Sequence, residues 1–444
     1  TANASYVLTL DVQEGMRISG VISGAGGITK VGNDTLRLTN ANTYSAATVI
    51  SNGVVQIENQ DALGSTTPGV TGASNTTVSA ASPSLAAIKI VGANFIIPEA
   101  ISIYGTGVNG TGAIKNMGAK NTLLGTVTTA YAGSLISSLG TANDGTDSLV
   151  LRGGITNTNA LTINTSRAVR IGDQGVAGSI ITGAGAITKT GLDTLVLNSS
   201  NTYTGITNVN AGVLLLKTAA GLGTGSNGTT DHTVVASSAG VVFDLNTLTI
   251  PEFFTINGTG INATGVLRWP STSTGNTLSG TILVNTSGSR INSDAATLTL
   301  SNATAAINTS TSNALSIGGL GGITVTGLLS GGGTITKDGA GSSSILTLKG
   351  NSTSFTGSIV VAANSNILKV SPTTASNTSV LGTTAGSTTI NDGSAMQIEG
   401  GVALVAKPIT IYGTGINNDG VIRNLTGTNT ITGAVTVSSN ARIN

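Results

Sequence analysis

One long stretch occurs twice in this chain and constrains its fold more than any other feature. Residues 22–64 read ISGAGGITKVGNDTLRLTNANTYSAATVISNGVVQIENQDALG, and residues 181–223 read ITGAGAITKTGLDTLVLNSSNTYTGITNVNAGVLLLKTAAGLG. The two differ mostly at positions that a half-buried strand leaves to solvent, and a looser third copy covers residues 329–382. Because an ordered internal repeat outweighs a domain count based on length, we predict one continuous array over residues 1–444.

Two shorter markers recur in the same order as the copies. A Gly-Thr-Gly turn follows an apolar pair at residues 105–107, 258–260 and 413–415. An Asn-Thr pair begins the segments at residues 121–125, 276–280 and 429–433. The markers return about every 155 residues, which indicates duplication. We therefore predict about three long repeats, at approximately 1–146, 147–297 and 298–444.

The local pattern within each long repeat predicts short strands joined by tight corners. Pairs such as Leu36/Leu38 and Leu195/Leu197 alternate with polar residues, which is the period of a half-buried strand. Gly, Asn, Asp and Ser separate the pairs and supply turn geometry. Stacked antiparallel sandwiches and a parallel β-helix both use many short strands, but no linker marks the boundaries that sandwiches need.

We therefore predict an all-β fold, a right-handed parallel β-helix (β-solenoid). Its coils are expected to take roughly 18 to 25 residues each, which gives on the order of 20 coils. At about 4.8 Å per coil, the rod would be on the order of 100 Å long. Aromatic residues make up only 3% of the chain, which suits a narrow core of stacked aliphatic side chains.

Twelve positions recur in the copies, and we assign all of them a structural role. They are Gly24, Gly26, Lys30, Tyr44, Gly183, Gly185, Lys189, Tyr203, Gly331, Gly333, Lys337 and Phe355. The lysine of each Ile-Thr-Lys is expected at a solvated strand end, where its charge prevents unwanted pairing with other strands. The alternative is a binding role for these lysines. The aromatic ring after Asn-Thr or Ser-Thr-Ser is expected to cover a corner.

Composition and charge exclude several classes of function. The net charge of +1, from 19 basic and 18 acidic residues with no local basic block along the sequence, predicts no nucleic-acid or anionic-membrane partner. Apolar residues make up 39%, enough for a core, but Gly, Thr or Asn interrupts every apolar run before the roughly 18 to 20 residues of a membrane-spanning helix. The absence of cysteine suits a secreted protein, and any signal peptide is removed or lies outside this sequence.

Calcium binding is considered and set aside. The Gly-Asn-Asp-Thr-Leu of residues 32–36 and the Asn-Asp-Gly-Thr-Asp of residues 143–147 resemble the nonapeptide of calcium-binding β-rolls. That site needs tandem nonapeptides, whereas each motif here stands alone, so an Asx turn is the favoured interpretation. We predict no metal site and no cofactor.

No catalytic residue is predicted either. The acidic residues form no evident acid–base pair, no nucleophile turn is present, and His232 is expected to be a solvated loop residue. A polysaccharide lyase or hydrolase on a β-helix remains an alternative. Trp269, the one tryptophan, either packs on its own corner or contacts a sugar or a neighbouring molecule from an exposed position.

The repeated segments resemble a known family, the autotransporter-associated β-strand repeat. Residues 24–57 and 183–216 closely resemble its succession of a Gly-x-Gly turn, a Leu/Ile-Thr-Lys strand, Gly, a Thr-Leu-x-Leu strand, Asn-Thr-Tyr-Thr-Gly and a Val-x-x-Gly-x-Leu strand. The third copy matches after an insertion at residues 340–344. Asn33-Asp34 and Leu192-Asp193 replace the small residue usual at one corner. The resemblance implies a β-helix exposed on or released from a bacterial outer surface, in adhesive or structural proteins, and it implies no catalytic residue.

The sequence therefore predicts a non-enzymatic extracellular protein of the bacterial surface, a rod that builds or decorates a fibre, sheath or layer. The alternative is an adhesin passenger that binds cells through loops such as residues 219–231. Expected partners are further copies, end to end or side by side, and other surface components or glycans. Residues 441–444 match residues 289–292, and the next residues there resemble residues 1–10, so we expect head-to-tail stacking or an excerpt of a longer array.

Overall fold

The computed structural model describes residues 6–64, 75–79, 85–140, 149–224, 228, 231–270, 275–294, 297–339 and 344–444. Residues 143–147, 340–343 and most of 225–230, on which some of the sequence predictions fall, lie outside the described residues. The contacts divide the chain into two compact units, Thr1–Thr224 (unit 1) and Gly225–Asn444 (unit 2). The prediction of one continuous solenoid over residues 1–444 stays a prediction, and each unit is described by itself.

The described part of unit 1 consists of short strands. They are β1 (Val7–Asp11), β2 (Met16–Ile18), β3 (Gly27–Val31), β4 (Thr35–Leu38), β5 (Thr48–Ile50), β6 (Gly53–Ile57), β7 (Thr76–Val78), β8 (Ala86–Ile90), β9 (Ile96–Ile97), β10 (Ile101–Ile103), β11 (Ile114–Asn116), β12 (Asn121–Leu123), β13 (Val127–Thr129), β14 (Ser134–Ser138), β15 (Leu149–Leu151), β16 (Ile155–Thr156), β17 (Leu161–Thr165), β18 (Val169–Ile171), β19 (Ile181–Thr182), β20 (Ile187–Thr190), β21 (Thr194–Leu197), β22 (Thr207–Val209) and β23 (Gly212–Leu216).

The described part of unit 2 has the same character. Its strands are β24 (Thr233–Val235), β25 (Ala239–Phe243), β26 (Thr249–Ile250), β27 (Phe254–Ile256), β28 (Leu267–Trp269), β29 (Thr277–Leu278), β30 (Ile282–Val284), β31 (Ser289–Ser293), β32 (Leu298–Leu300), β33 (Ile307–Asn308), β34 (Leu315–Gly318), β35 (Ile323–Val325), β36 (Leu329–Gly331), β37 (Ile335–Lys337), β38 (Ile345–Leu348), β39 (Ser354–Phe355), β40 (Ile359–Val361), β41 (Ile367–Val370), β42 (Thr388–Ile390), β43 (Ala395–Ile398), β44 (Ala403–Leu404), β45 (Ile409–Ile411), β46 (Ile422–Asn424), β47 (Thr430–Ile431) and β48 (Val435–Val437).

Helix is confined in the described residues to three single 3-10 turns, Val108–Gly110, Ile261–Ala263 and Ile416–Asn418. Each follows the second glycine of a Gly-Thr-Gly marker, at Gly107, Gly260 and Gly415. In each turn the middle residue, an asparagine, has a positive φ between 51° and 56°. The markers recognised in the sequence therefore fold alike, because the same glycine and asparagine conformations recur.

Strands of one unit pair with strands of the neighbouring coils and form tall parallel sheets. In unit 1 the first sheet has the order β1-β3-β5-β7-β10-β13-β16-β19, the second β2-β4-β6-β8-β11-β14-β17-β20-β22, and the third β9-β12-β15-β18-β21-β23. In unit 2 the fourth sheet has the order β24-β27-β30-β33-β36-β39, the fifth β25-β28-β31-β34-β37-β40-β42-β45-β48, the sixth β26-β29-β32-β35-β38-β41-β43-β46, and the seventh pairs β44 with β47.

The all-β parallel solenoid predicted from the sequence is confirmed within each unit. Every described strand pair is parallel, and each chain segment visits the sheets in turn before returning one coil higher. A right-handed winding and the three long repeats stay predictions. The expected coil length is too narrow: Leu36 pairs with Val55, 19 positions on, but Val55 pairs with Ile88, 33 positions on. Insertions at the corners lengthen a coil without disturbing strand register, because only the strands stack.

The core of unit 1 consists of columns in which one side chain lies on the equivalent side chain of the next coil. In the second sheet, the fully buried Leu36, Val55, Ile88, Ile114 and Ile136 are successive register partners. Some of their neighbours along the strand, such as Arg37 and Lys89, are more exposed, as the period of two predicts, whereas Ala87 and Ser137 are buried as well. Stability thus comes from dense stacking of aliphatic side chains between coils.

The two close copies of the long stretch lie on different sheets of unit 1. The Ile-Thr-Lys strand is β3 of the first sheet in one copy and β20 of the second sheet in the other. Strand β19 lies six strands beyond β3 in the first sheet. The next strand in the chain, β20, belongs to the second sheet, which forms the neighbouring face of the solenoid. Equivalent residues of the two copies therefore emerge on adjacent faces of the solenoid.

Candidate functional site

The two glycines of each Gly-x-Gly turn have different tasks. Gly24 and Gly183 have φ values of +124° and +96°, which side chains rarely adopt. Gly26 and Gly185 instead lie against the coil before them, where an added Cβ would overlap the carbonyl oxygen of Tyr6 or Asn159. The turn is therefore a device for close coil stacking, and no helix of the described residues follows it to bind an anion.

The third copy, in unit 2, repeats this division of tasks. Gly331 has a φ of +91°, and an added Cβ on Gly333 would overlap the carbonyl of Asn313. All six glycines that the sequence singles out thus have a local structural reason.

The three recurring lysines are buried, and the prediction that they lie at solvated strand ends is wrong. Lys30 and Lys189 are 0% exposed and Lys337 is 1% exposed. Each takes an inward slot of an aliphatic column: Lys189, for example, lies in register between Ile163 and Val209. The sequence carried this signal, because Ile-Thr-Lys places the lysine two positions from an inward isoleucine and hence on the same face.

Each buried ammonium group is satisfied by oxygen acceptors at a corner. Lys189 Nζ donates to Thr165 Oγ1 at 2.6 Å and to the carbonyl oxygens of Gly191 and Ala211, both at 2.8 Å. Lys30 Nζ makes the equivalent bonds to the carbonyl oxygens of Gly32 at 2.8 Å and Asn52 at 3.0 Å. The ammonium group therefore ties one strand end to the coils on either side of it.

The lysine of the third copy uses side-chain acceptors instead. Lys337 Nζ donates to Ser344 Oγ at 2.8 Å and to Asn366 Oδ1 at 3.1 Å. Burial lowers the pKa of both Lys189 and Lys337 to about 8, with partial compensation from Asp193 and Asp338. Both groups therefore remain protonated at neutral pH. A buried ammonium group with no opening to solvent offers neither a nucleophile nor a docking point, so its task is structural.

The recurring aromatic rings are inside the solenoid and do not cover a corner from outside. Tyr44, Tyr203 and Phe355 are 1%, 1% and 0% exposed. Tyr203 Oη lies 2.7 Å from Thr207 Oγ1, and Tyr44 Oη lies 2.6 Å from Thr48 Oγ1. The third copy has neither hydroxyl, because phenylalanine is followed four positions later by isoleucine.

We expect Tyr203→Phe to lower the free energy of unfolding by about 1 kcal/mol, because Thr207 loses its buried hydrogen-bond partner. The double variant Tyr203→Phe/Thr207→Ile reproduces the pair found in the third copy and is expected to recover most of that loss. Urea unfolding followed by circular dichroism measures both. A double variant less stable than the single one would contradict this account of the pair.

The single tryptophan packs in the core of unit 2. Trp269 is 1% exposed and stacks on Phe243, with ring centroids 4.2 Å apart and planes within 3° of parallel. Phe254 meets Phe243 edge-on at 5.7 Å. Of the two roles considered for Trp269, packing on its own corner is confirmed and exposure to a sugar or a neighbour is wrong.

Two buried glutamates, Glu99 and Glu252, are absent from the sequence predictions, and each follows a proline, Pro98 or Pro251. Glu99 is 0% exposed, and neither of its carboxyl oxygens has a hydrogen-bond partner. Burial raises its pKa to about 7, and the Asp61 carboxylate adds to the rise. Burial likewise raises the pKa of Glu252 to about 8, although a 2.7 Å hydrogen bond from Thr233 Oγ1 opposes it.

At the corresponding place in the predicted third long repeat, two positions before β45, Lys407 replaces the glutamate. Its ammonium donates to the carbonyl oxygen of Gly357 at 2.8 Å and lies 5.5 Å from the Phe355 ring centroid. Burial lowers the pKa of Lys407 to about 8. Within unit 2, Glu252 accepts a hydrogen bond from Thr233 whereas Lys407 donates to Gly357, so these two residues do not form an acid–base pair.

These shifts predict a minimum of stability near pH 8. The unfolded chain releases the protons of Glu99 and Glu252 at a lower pH than the folded chain, so stability falls as pH rises to about 8. Lys189, Lys337 and Lys407 lose their protons first in the folded chain, so stability rises again from about pH 8 toward 10.5. Melting temperatures measured between pH 5 and 10 would show the minimum.

The control for that measurement is Glu252→Gln, which removes one titrating group and keeps the side-chain shape. We expect it to flatten the fall of the melting temperature between pH 5 and 8. A melting temperature that is highest at pH 8, in the unaltered chain, would contradict the assigned directions.

In the candidate calcium motif of residues 32–36, the aspartate carboxylate bonds to the backbone N–H of the next residue and not to the residue two positions on, so the Asx turn stays a prediction. Asp193 Oδ1, its counterpart in the second copy, accepts the backbone N–H of Thr194 at 2.7 Å, and Asp34 does the same for Thr35. Among the described residues, no group of three or more His, Cys, Asp or Glu side chains is placed to hold a metal ion. His232 is half-buried, with its ring edge-on to Phe253 at 5.5 Å.

A cleft of about 490 Å³ lies among the first coils of unit 1, between β1 and residues 22–28, with Tyr44 at its inner side. Its lining is aliphatic and glycine-rich and includes Val7, Leu8 and Ile28. It brings no carboxylate, imidazole or amine together. The cleft therefore offers no acid–base chemistry.

The faces of the solenoid carry long ladders of polar side chains. In the first sheet, eight outward residues follow one another in register: Thr9, Thr29, Val49, Thr77, Ser102, Thr128, Thr156 and Thr182. In the sixth sheet, five consecutive outward residues are Thr249, Thr277, Thr299, Thr324 and Thr347. What the solenoid presents to solvent is thus an extended, regular surface.

Buried repeat side chains and polar outer ladders define a β-solenoid repeat protein. The family model of the passenger-associated-transport-repeat matches residues 28–57 and 187–216. "Adhesin BmaC autotransporter" from Brucella suis biovar 1 (strain 1330) is 30% identical over 273 residues, which is 52% of this chain and 8% of that protein. These matches confirm the resemblance to an autotransporter-associated repeat family, whose passengers are secreted or displayed on cell surfaces.

The chain spans less than a tenth of the length of the curated relative that it matches. No solved structure matches this chain. Within the described residues, no helix has the length and apolarity needed to cross a membrane.

Proposed function

We propose that this chain is a non-enzymatic part of an adhesive passenger, displayed outside a bacterial cell, whose outer faces contact other cells or their polymers. One observation carries the proposal: the lysines and aromatic rings that recur in the copies are enclosed between coils. Over the described residues, the solvent therefore meets long polar ladders and no group of side chains placed to hold a metal ion. The 30% identity to a protein named as an adhesin supports adhesion over the building of a sheath or layer.

Beads coated with the purified chain test this proposal. We expect them to attach to bacterial or host cells more often than beads coated with an unrelated β-solenoid of similar charge. The same preparation is incubated with acidic and neutral polysaccharides, and reducing ends are counted. Equal attachment of both bead types would contradict adhesion, and release of reducing ends would support the enzyme alternative.

A second proposal is self-association, end to end or side by side, into a fibre. Exposed apolar side chains away from the first and last strands support it: Leu192 is 86% and Leu320 is 64% exposed. Such side chains favour contact with a further copy. Sedimentation at rising concentration tests it: a monomer at all concentrations would contradict self-association of this chain.

A further inference from the structure

Strand register gathers cations that are far apart in the sequence onto one face of unit 1. In the second sheet, the outward residues of five consecutive coils are Arg17, Arg37, Gln56, Lys89 and Lys115, each in register with the next. We call these five residues the basic ladder. Parallel strands are about 4.8 Å apart, so four cations lie within about 20 Å along the solenoid.

One carboxylate partly neutralises the first half of the basic ladder. Glu58 forms an ion pair with Arg37 at 2.8 Å and accepts a hydrogen bond from Gln56 Nε2 at 2.6 Å. Burial alone would raise the pKa of Glu58, but these two bonds and the charges of Arg37 and Arg17 lower it. Glu58 therefore stays ionised, and Arg17 remains exposed without an ion pair among the described residues.

The second half of the basic ladder has no such compensation. Lys89 and Lys115 are half-exposed neighbours in register, and neither forms an ion pair within the described part of the chain. Lys115 Nζ donates to the carbonyl oxygen of Val108 at 3.2 Å. Burial lowers the pKa of Lys115, and the positive charge of Lys89 lowers it further because the two cations repel each other.

Such a row of like charges costs stability, because adjacent cations repel across neighbouring strands. The fold does not require it: the first sheet builds the same ladder from threonine and other uncharged side chains. Two carboxylates, Glu14 and Asp34, lie at the turns before β2 and β4, and they leave the Lys89–Lys115 end uncompensated. A bound polyanion would remove the repulsion.

We propose that the basic ladder binds a linear acidic polysaccharide, lying along the solenoid and across its coils. Cations repeated at the strand spacing complement carboxylate or sulfate groups repeated along a sugar chain. The basic ladder has no aromatic side chain on which a nucleic-acid base would stack, and this favours a polysaccharide over single-stranded nucleic acid. The choice of a cell-surface polymer rests on the proposed adhesive function.

Binding of the full chain to immobilised polygalacturonate tests the proposal. We expect the affinity to fall between about 50 and 200 mM salt, and Lys89→Gln/Lys115→Gln to weaken it about tenfold at the lower salt. The matched control, Lys349→Gln/Arg442→Gln, removes two cations outside the basic ladder and is expected to bind as the unaltered chain does. The double ladder variant should melt no lower than the unaltered chain, because repulsion is removed.

Three results would overturn the inference: equal weakening by the control variant, binding that is insensitive to salt, or tighter binding to a thymidylate oligonucleotide of similar charge. Comparison with the bead assay separates this inference from the proposed function. If beads attach to cells but polygalacturonate does not bind, adhesion stands and the polysaccharide inference falls. If polygalacturonate binds but beads do not attach to cells, the polysaccharide inference stands and the proposed adhesion falls.

Discussion

Replacing Trp269 by alanine is expected to lower the free energy of unfolding by about 3 to 5 kcal/mol. The indole is 1% exposed and stacks on Phe243, which in turn meets Phe254 edge-on. Its removal leaves a cavity that neighbouring coils cannot fill, because their register is fixed by strands on all sides. Loss of ring stacking adds to the loss of buried apolar area. Urea unfolding, followed by circular dichroism, measures the change.

The control for this prediction is Leu320→Ala, since Leu320 is 64% exposed in the same unit. We expect it to change the free energy of unfolding by less than about 0.5 kcal/mol. If Trp269→Ala had as little effect as the control, the indole would not be the core residue described here. Tryptophan fluorescence of the unaltered chain gives a second check, with an emission maximum typical of an apolar site that shifts to the red on unfolding.

Replacing Lys189 by methionine is expected to destabilise the chain by about 2 to 4 kcal/mol. Methionine fills a similar volume, but the carbonyl oxygens of Gly191 and Ala211 and the hydroxyl of Thr165 lose their donor in a buried place. Relief from burying a charge offsets part of this cost. The net effect stays unfavourable, because oxygen atoms without partners inside the coil cost more than the relief returns.

Lys120→Met is the matched control in the same unit, because Lys120 is exposed. It is expected to leave the free energy of unfolding within about 0.5 kcal/mol of the unaltered chain. Were the recurring lysines solvated strand ends, as the sequence first predicts, Lys189→Met and Lys120→Met would have the same small effect. A gain in stability for Lys189→Met would show that burying the charge costs more than its hydrogen bonds return.

The class of fold could be predicted from the sequence because it depends on local signals. A period of two in pairs such as Leu36/Leu38, with glycine and asparagine at the corners, identifies strands and turns. A long repeat without linkers then favours a solenoid. Coil length could not be predicted: the 33 positions from Val55 to its register partner Ile88 exceed the 19 from Leu36 to Val55, and no period in the sequence marks the difference.

The predicted exposure of the recurring lysines is wrong because it rests on the residue type and not on the position of each lysine in its strand. Lysine is usually exposed, yet its place two residues after Ile28 or Ile187 puts it on the inward face. The pairing of tyrosine with threonine four positions on, and of Phe355 with Ile359, was also visible as a change between copies. Comparing copies position by position would have indicated an internal contact.

The basic ladder could not be predicted by scanning for charge along the sequence. Arg17 and Lys115 are nearly a hundred positions apart, and the chain as a whole carries a net charge of only +1. They share a face because five coils of unequal length bring β2, β4, β6, β8 and β11 into one sheet. Register, which the sequence leaves open wherever corners vary in length, decides which charges meet.

The recurring lysines and aromatic rings hold the coils together, and we propose that the outer faces make the contacts with other molecules. Parallel measurements on Lys189→Met and Lys89→Gln/Lys115→Gln test it most directly, with urea unfolding and polygalacturonate binding recorded for both at a temperature where both are folded. We expect Lys189→Met to lower the free energy of unfolding and to leave polygalacturonate binding unchanged. We expect Lys89→Gln/Lys115→Gln to weaken polygalacturonate binding and to leave the free energy of unfolding unchanged. If Lys189→Met instead lost binding with its stability unchanged, the repeat would carry the site and the account would be contradicted.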